Sequence, residues 1–154
     1  MPTHYSADER RKIAIALKEY LADVTVAYYK THGFHWNIEG PDFYSLHLML
    51  EKFYGELWES MDEVAERVRA LGEKVPPSLT ELLKLASIQE AETAPKSQIM
   101  MKVLREDYLI LAKKAHEVGS LADDHGDTVT ADIMTAKETF LEKAAWMLQS
   151  SLSD

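Results

Sequence analysis

The chain has no cysteine. That excludes disulfides, thiolate metal sites and cysteine nucleophiles, and it fits a reducing compartment. No run of about 18 apolar residues occurs, so no membrane span is expected. The opening residues MPTHYSADERRKIA carry no apolar stretch of signal-peptide type. Basic residues are also scarce: 17 Lys and Arg stand against 26 Asp and Glu, a formal charge of −9. An acidic chain repels phosphates unless its basic residues are segregated, so nucleic acid is not the expected partner. Acidity of this size suits plain solubility or the handling of cations equally.

Glycine and proline number only six and five, and they cluster. Gly33, Gly40 and Pro41 mark one break, Gly72, Pro76 and Pro77 a second, Pro95 a third, and Gly119 with Gly126 a fourth. The segments between them have helical periodicity. The first helix is predicted from about Ala7 to Thr31. It opens on a Ser6–Glu9 capping box, and Ile13, Leu17, Leu21, Val24 and Tyr28 form its apolar stripe. The second runs from about Pro41 to Leu71, with Pro41 tolerated in a first turn. A short helix from Ser78 to Leu85 starts on a second capping box, Ser78 to Glu81. The third long helix is predicted over Lys96–Leu121 and the last over Asp127–Leu152. No period-2 strand, internal repeat or low-complexity tract is evident. At 154 residues the chain makes one domain over 1–154. The expected fold is all-α, a four-helix bundle with a short extra helix in its long central connection.

The second helix carries His47, Glu51, Asp62 and Glu66. At 100° per residue, Glu51 lies about 40° from His47, Asp62 about 60° and Glu66 about 100°, so all four share one face. Fifteen residues separate His47 from Asp62, about 22 Å along the axis, too far for one metal ion. Two copies of the helix packed antiparallel, crossing near Gly55, would bring His47 and Glu51 of one against Asp62 and Glu66 of the other. A two-fold contact builds two such sites at once. His35, just before the Gly-Pro turn, could fold beside His47 of its own chain. Imidazole and carboxylate together suit Fe(II), Mn(II) or Zn(II).

Spacing alone leaves a second reading open. Asp62 and Glu66 could be an ordinary solvated helix face, His35 and His47 satisfied core histidines, and Trp36 a packing residue. No acid stands three residues before any histidine, so the Glu-x-x-His pair of di-iron sites within a single bundle is missing.

The segments KTHGFHWNIEGPDFYSLHLMLEKFYGELWESMDEVAERV and GDTVTADIMTAKETFLEKAAWMLQSSL resemble the Dps family of ferritin-like mini-ferritins, and the likeness covers about Ser6 to Leu152. The resemblance implies a dodecameric shell with ferroxidase sites between subunits. Iron is the metal it implies: Fe(II) is oxidised to Fe(III), by preference with hydrogen peroxide, and stored as mineral against oxidative stress in the cytoplasm. Carried over by motif, His35, His47 and Glu51 come from one subunit and Asp62 and Glu66 from its mate. Trp36 matches the family tryptophan near the centre, a sink for stray oxidising equivalents, and His32 is outside the usual ligand set. Asp123, Asp127 and Asp132 match the aspartates of a three-fold pore. The other reading of Asp127 is an N-terminal acid that complements its helix dipole.

The sequence also departs from the family. Relatives that bind DNA use a long basic N-terminal tail, whereas here no Lys or Arg precedes the capping box, which argues against DNA binding. Leu48 and Lys52 stand where relatives often carry further acids.

Overall fold

The computed structural model describes residues 4–153. Five helices follow one another: α1 Ala7–Asn37, α2 Phe43–Ala70, α3 Leu79–Leu83, α4 Ser97–Asp124 and α5 Thr128–Ser150. No strand occurs among the described residues, and none of their helices is long and apolar enough to cross a membrane.

Cross-helix partners give the topology. Lys30 meets Asp107 and Asp23 meets Lys114, so α1 and α4 run antiparallel. Arg67 near the end of α2 reaches Asp127 at the start of α5, and Met49 near the start of α2 meets Ser151 at the end of α5. The bundle is therefore up-down-down-up, and the connection between α2 and α4 must travel its full length. That crossover carries α3, which packs on α1.

The core lies along the bundle axis. Leu17, Tyr20, Leu50, Leu57, Tyr108 and Leu111 are fully buried. Each such side chain contributes about 1.5–3 kcal/mol relative to exposure. Two polar pairs are buried within the core: the Thr31 and Tyr108 hydroxyls lie 2.7 Å apart, and Lys30 and Asp107 form an ion pair of 2.7 Å.

Buried Asp23 of α1 fastens the crossover to the bundle. One carboxylate oxygen accepts the Ser87 and Ile88 amides at 2.6 and 2.8 Å. The other accepts the Ser87 hydroxyl at 2.7 Å and the Lys114 ammonium. Burial pushes this carboxyl up, but these four donors outweigh it and hold it below its ordinary value.

Several helix ends differ from expectation. α1 continues through Gly33 to Asn37, and α4 runs past its expected end at Leu121 to Asp124. A helical glycine costs only about 1 kcal/mol relative to alanine, and packing offsets it. Phe34 and His35 are buried just beyond Gly33, and Gly119 packs on Met134, whose Cβ would lie 3.4 Å from an added Cβ. Pro41 sits in a turn rather than in α2, and Gly40 adopts φ 113°, which is open to glycine and strained for other residues. The Ser6–Glu9 capping box forms completely. At α3 only half of the second box forms. The Ser78 hydroxyl accepts the Glu81 amide, whereas the Glu81 carboxylate pairs with Lys84 at 2.7 Å.

Candidate metal centre

The short turn after α1 brings His35, in the last turn of α1, against His47, in the second turn of α2. Their rings stack with centroids 3.7 Å apart and 17° between planes. The bonds between them are reciprocal. His35 Nδ1 donates to the His47 carbonyl at 2.8 Å, and His47 Nδ1 donates to the His35 carbonyl at 2.9 Å. A carbonyl can only accept, so both protons sit on Nδ1. In the neutral rings both Nε2 lone pairs are then available to a cation. The His35 carbonyl is one of the orphan acceptors at the end of α1, so the same bond completes the helix terminus and fixes the tautomer.

The carboxylates are placed differently. Glu51 is exposed one turn beyond His47 on α2. Asp62 and Glu66 are exposed much further along that helix. Among the described residues, no group of three or more His, Asp or Glu within the one chain could hold a metal ion. The chain therefore offers half a site at each of two places on α2: imidazoles with Glu51 at one, paired acids at the other. Gly55 lies between them, and an added Cβ there would meet nothing within 4 Å in this chain.

Asp62 and Glu66 edge a groove of about 1170 Å³ between α1, α2 and α3. Its walls include Tyr29, Trp58 and Leu79, each 60–66% exposed. An apolar surface of that kind beside two unpaired acids suits protein-protein contact.

Trp36 is exposed and stands over His32, with ring centroids 4.0 Å apart. His32 itself stacks on Tyr54 at 3.9 Å and 15°, and its Nδ1 lies 3.0 Å from the Tyr28 hydroxyl. Burial, then His35, lowers the His32 pKa and favours the neutral ring. Sequence reasoning left Tyr28, Tyr54 and Trp58 out of the centre. The available signal was the i, i+4 series Tyr28, His32 and Trp36 on α1, with Tyr54 and Trp58 four residues apart on α2.

The three aspartates at the other end separate. Asp123 and Asp132 are exposed. Asp127 is fully buried, which corrects its reading as a pore acid. It caps α5 through the Thr130 amide at 3.0 Å, pairs with Arg67 at 2.7 Å and accepts from the Tyr5 hydroxyl at 3.3 Å. Burial raises its pKa, but Thr130 and Arg67 prevail and lower it. A carboxylate so committed has no oxygen left for a passing cation, and the dipole alternative is the one that fits.

A bundle of this topology, with a histidine pair at one end of α2 and acids at the other, defines a ferritin-like protein. The family model described as a ferritin-like domain matches residues 15–154. The "DNA protection during starvation protein 2" of Bacillus anthracis is 36% identical over 146 residues, 93% of this chain and 98% of the relative. The solved Dps structure from Vibrio cholerae O1 superimposes with a TM-score of 0.91 at 33% identity, covering 95% of this chain and 92% of that one. That protein is described as a member of a broad superfamily of ferritin-like diiron-carboxylate proteins. Antigen TpF1 from Treponema pallidum gives a TM-score of 0.93 at 32% identity, over 100% of this chain and 99% of that one. The chain belongs to the Dps family of ferritin-like proteins.

Proposed function

We propose that the protein is a ferroxidase and iron store whose oxidation sites form between two subunits. Iron is its substrate and its cargo. The observation that carries this reading is the histidine pair, held by two reciprocal bonds so that both Nε2 lone pairs stay free. His35, His47 and Glu51 would bind from one subunit. Asp62 of the partner subunit and Glu66 of the partner subunit would close the site. Neutral imidazoles and carboxylates suit ferrous and ferric iron alike.

The chemistry asks little of the protein beyond position. Two Fe(II) ions each give one electron to one hydrogen peroxide. With two protons taken up, the products are two Fe(III) and two water molecules. Delivering both electrons together avoids release of hydroxyl radical. Such a protein protects DNA by removing Fe(II) and peroxide, with no need to touch it. Ferric iron would then move to the cavity of a twelve-subunit shell. Exposed Asp123 and Asp132 would draw cations through its pores, helped by the acidic surface.

The direct test is anaerobic titration of the purified protein with Fe(II), followed by hydrogen peroxide. Two Fe(II) consumed per peroxide, with iron retained on a twelve-subunit particle, supports the reading. Oxidation at the free-solution rate with no iron retained rejects it.

A further inference from the structure

Between His47 and Glu66, α2 carries six acids, Glu51, Glu56, Glu59, Asp62, Glu63 and Glu66, against one lysine, Lys52, and no arginine. Glu63 is paired with Lys137 of α5. Lys52 and Glu59 are both exposed, and neither forms an ion pair among the described residues, although Glu56 stands one turn beyond Lys52. A site shared between two subunits brings two such faces together. The acids of both copies then gather at one contact, and like charges placed against each other oppose it.

Helix geometry shows where the two lysines fall. At 100° per residue, Lys52 lies about 60° round α2 from Gly55, and Glu59 lies about 40° round on the same side. His47, Glu51 and Asp62 lie about 80°, 40° and 20° round on the other side. When a two-fold axis relates antiparallel helices, each side of one helix meets the same side of the other. A crossing at Gly55 therefore sets Lys52 level with position 58 of the second copy, one rise of about 1.5 Å from Glu59 of the partner subunit. Glu56 lies about 100° round from Gly55, beyond the contact. Gly55 itself lets the helices approach, since an added Cβ there meets nothing within 4 Å in this chain.

We infer that Lys52 forms an ion pair with Glu59 of the partner subunit, made twice across the two-fold, and that these pairs set the register in which the two half-sites of α2 meet. The metal ligands take one side of the helix contact and the ion pairs the other. Charges that flank a helix contact fix orientation and partner choice in the same way in coiled coils. Lys52 is a positioning residue: it touches no iron, and it acts by holding His47 and Glu51 level with Asp62 of the partner subunit. The inference rests on the two-subunit arrangement proposed above and on no step of the iron chemistry.

The test uses metal-free, full-length protein. A water-soluble carbodiimide joins a lysine amine to a carboxylate only where the two already touch. Protein reassembled from equal amounts of 15N-labelled and unlabelled chains is expected to give a covalent dimer on denaturing electrophoresis. Mass spectrometry of its digest is expected to show Lys52 of one isotope joined to Glu59 of the other, and Lys52→Gln to lose that linkage. No covalent dimer, a dimer joined elsewhere, or Lys52 joined only within its own chain overturns the inference. Charge reversal gives a second arm. Lys52→Glu and Glu59→Lys are each expected to raise the concentration at which subunits dissociate about tenfold at low salt, read by analytical ultracentrifugation, and the two together to recover most of that loss. A double variant no tighter than the weaker single variant also overturns the inference. Complementation between His47→Ala and Asp62→Asn subunits reads the shared site without reference to Lys52. Activity restored there, with no Lys52–Glu59 linkage, keeps the shared site and rejects the ion pair alone.

Discussion

Mixing two inactive variants tests whether the oxidation site is shared between subunits. His47→Ala removes a ligand from one half-site, and Asp62→Asn weakens the other. The two residues lie about 22 Å apart along α2, so they cannot serve one site within a chain. Each variant alone is expected to be inactive, because both sites of its two-fold dimer lack the same group. A dimer of one His47→Ala and one Asp62→Asn subunit behaves differently. One of its sites carries both defects, and the other carries neither. Equal random mixing makes half the dimers mixed, each with one intact site of two, so about a quarter of wild-type activity should return. Co-expression with two different affinity tags and purification through both would enrich mixed particles, and initial rates of peroxide-driven iron oxidation would be compared at equal subunit concentration. Activity no higher than that of the separate variants would refute a site shared across the two-fold. Substantial activity in Asp62→Asn alone would refute the role of Asp62.

Three further predictions concern the frame around the site. Asp23→Ala removes the acceptor of two amides and the ion-pair partner of the half-buried Lys114, and should cost about 3–5 kcal/mol in chemical denaturation. Asp23→Asn, which can keep the oxygen that accepts both amides, should cost less, and equal losses would show that the amide bonds contribute little. Asp23 and Asp127 both have folded pKa values below the ordinary 3.8, so their stabilisation is present above that value and is lost as pH falls through the lower folded values. Acid titration of helicity should show less loss below pH 3.8 in Asp127→Asn than in wild type, and superimposable normalised curves would contradict the assignment. For the buried Lys30–Asp107 pair, burial outweighs the lysine and raises the aspartate pKa, the sign of a costly ion pair. Lys30→Met alone should destabilise by about 3–5 kcal/mol, while Lys30→Met with Asp107→Leu should be neutral or stabilising. Additive losses on thermal unfolding would argue the reverse.

Much of the fold was legible because helical periodicity is local. Ile13, Leu17, Leu21 and Val24 recur on one face whatever the rest of the chain does, and all four are buried. Element ends were less legible. Gly33 looks like a stop, yet it disfavours a helix by only about 1 kcal/mol, and packing from distant segments decides the outcome. The approach of His35 to His47 could be anticipated from the short turn between their helices. Their reciprocal Nδ1 bonds could not, because those depend on how the two backbones sit to within a few tenths of an ångström.

The sequence by itself determined the four long helices, the long crossover, and the histidine and acid faces of α2, because each is written in spacings of three and four residues. The tertiary structure alone decided which side chains are free to act. Asp127 looks like its neighbours Asp123 and Asp132 until Arg67, sixty residues away, buries beside it. Tyr28 looks like any apolar-stripe residue until Tyr54 and Trp58 pack against its ring and its hydroxyl comes within 3.0 Å of His32 Nδ1. The physical reason is the same in both cases. A side chain's availability depends on desolvation and on partners far along the chain, and neither has a local signature.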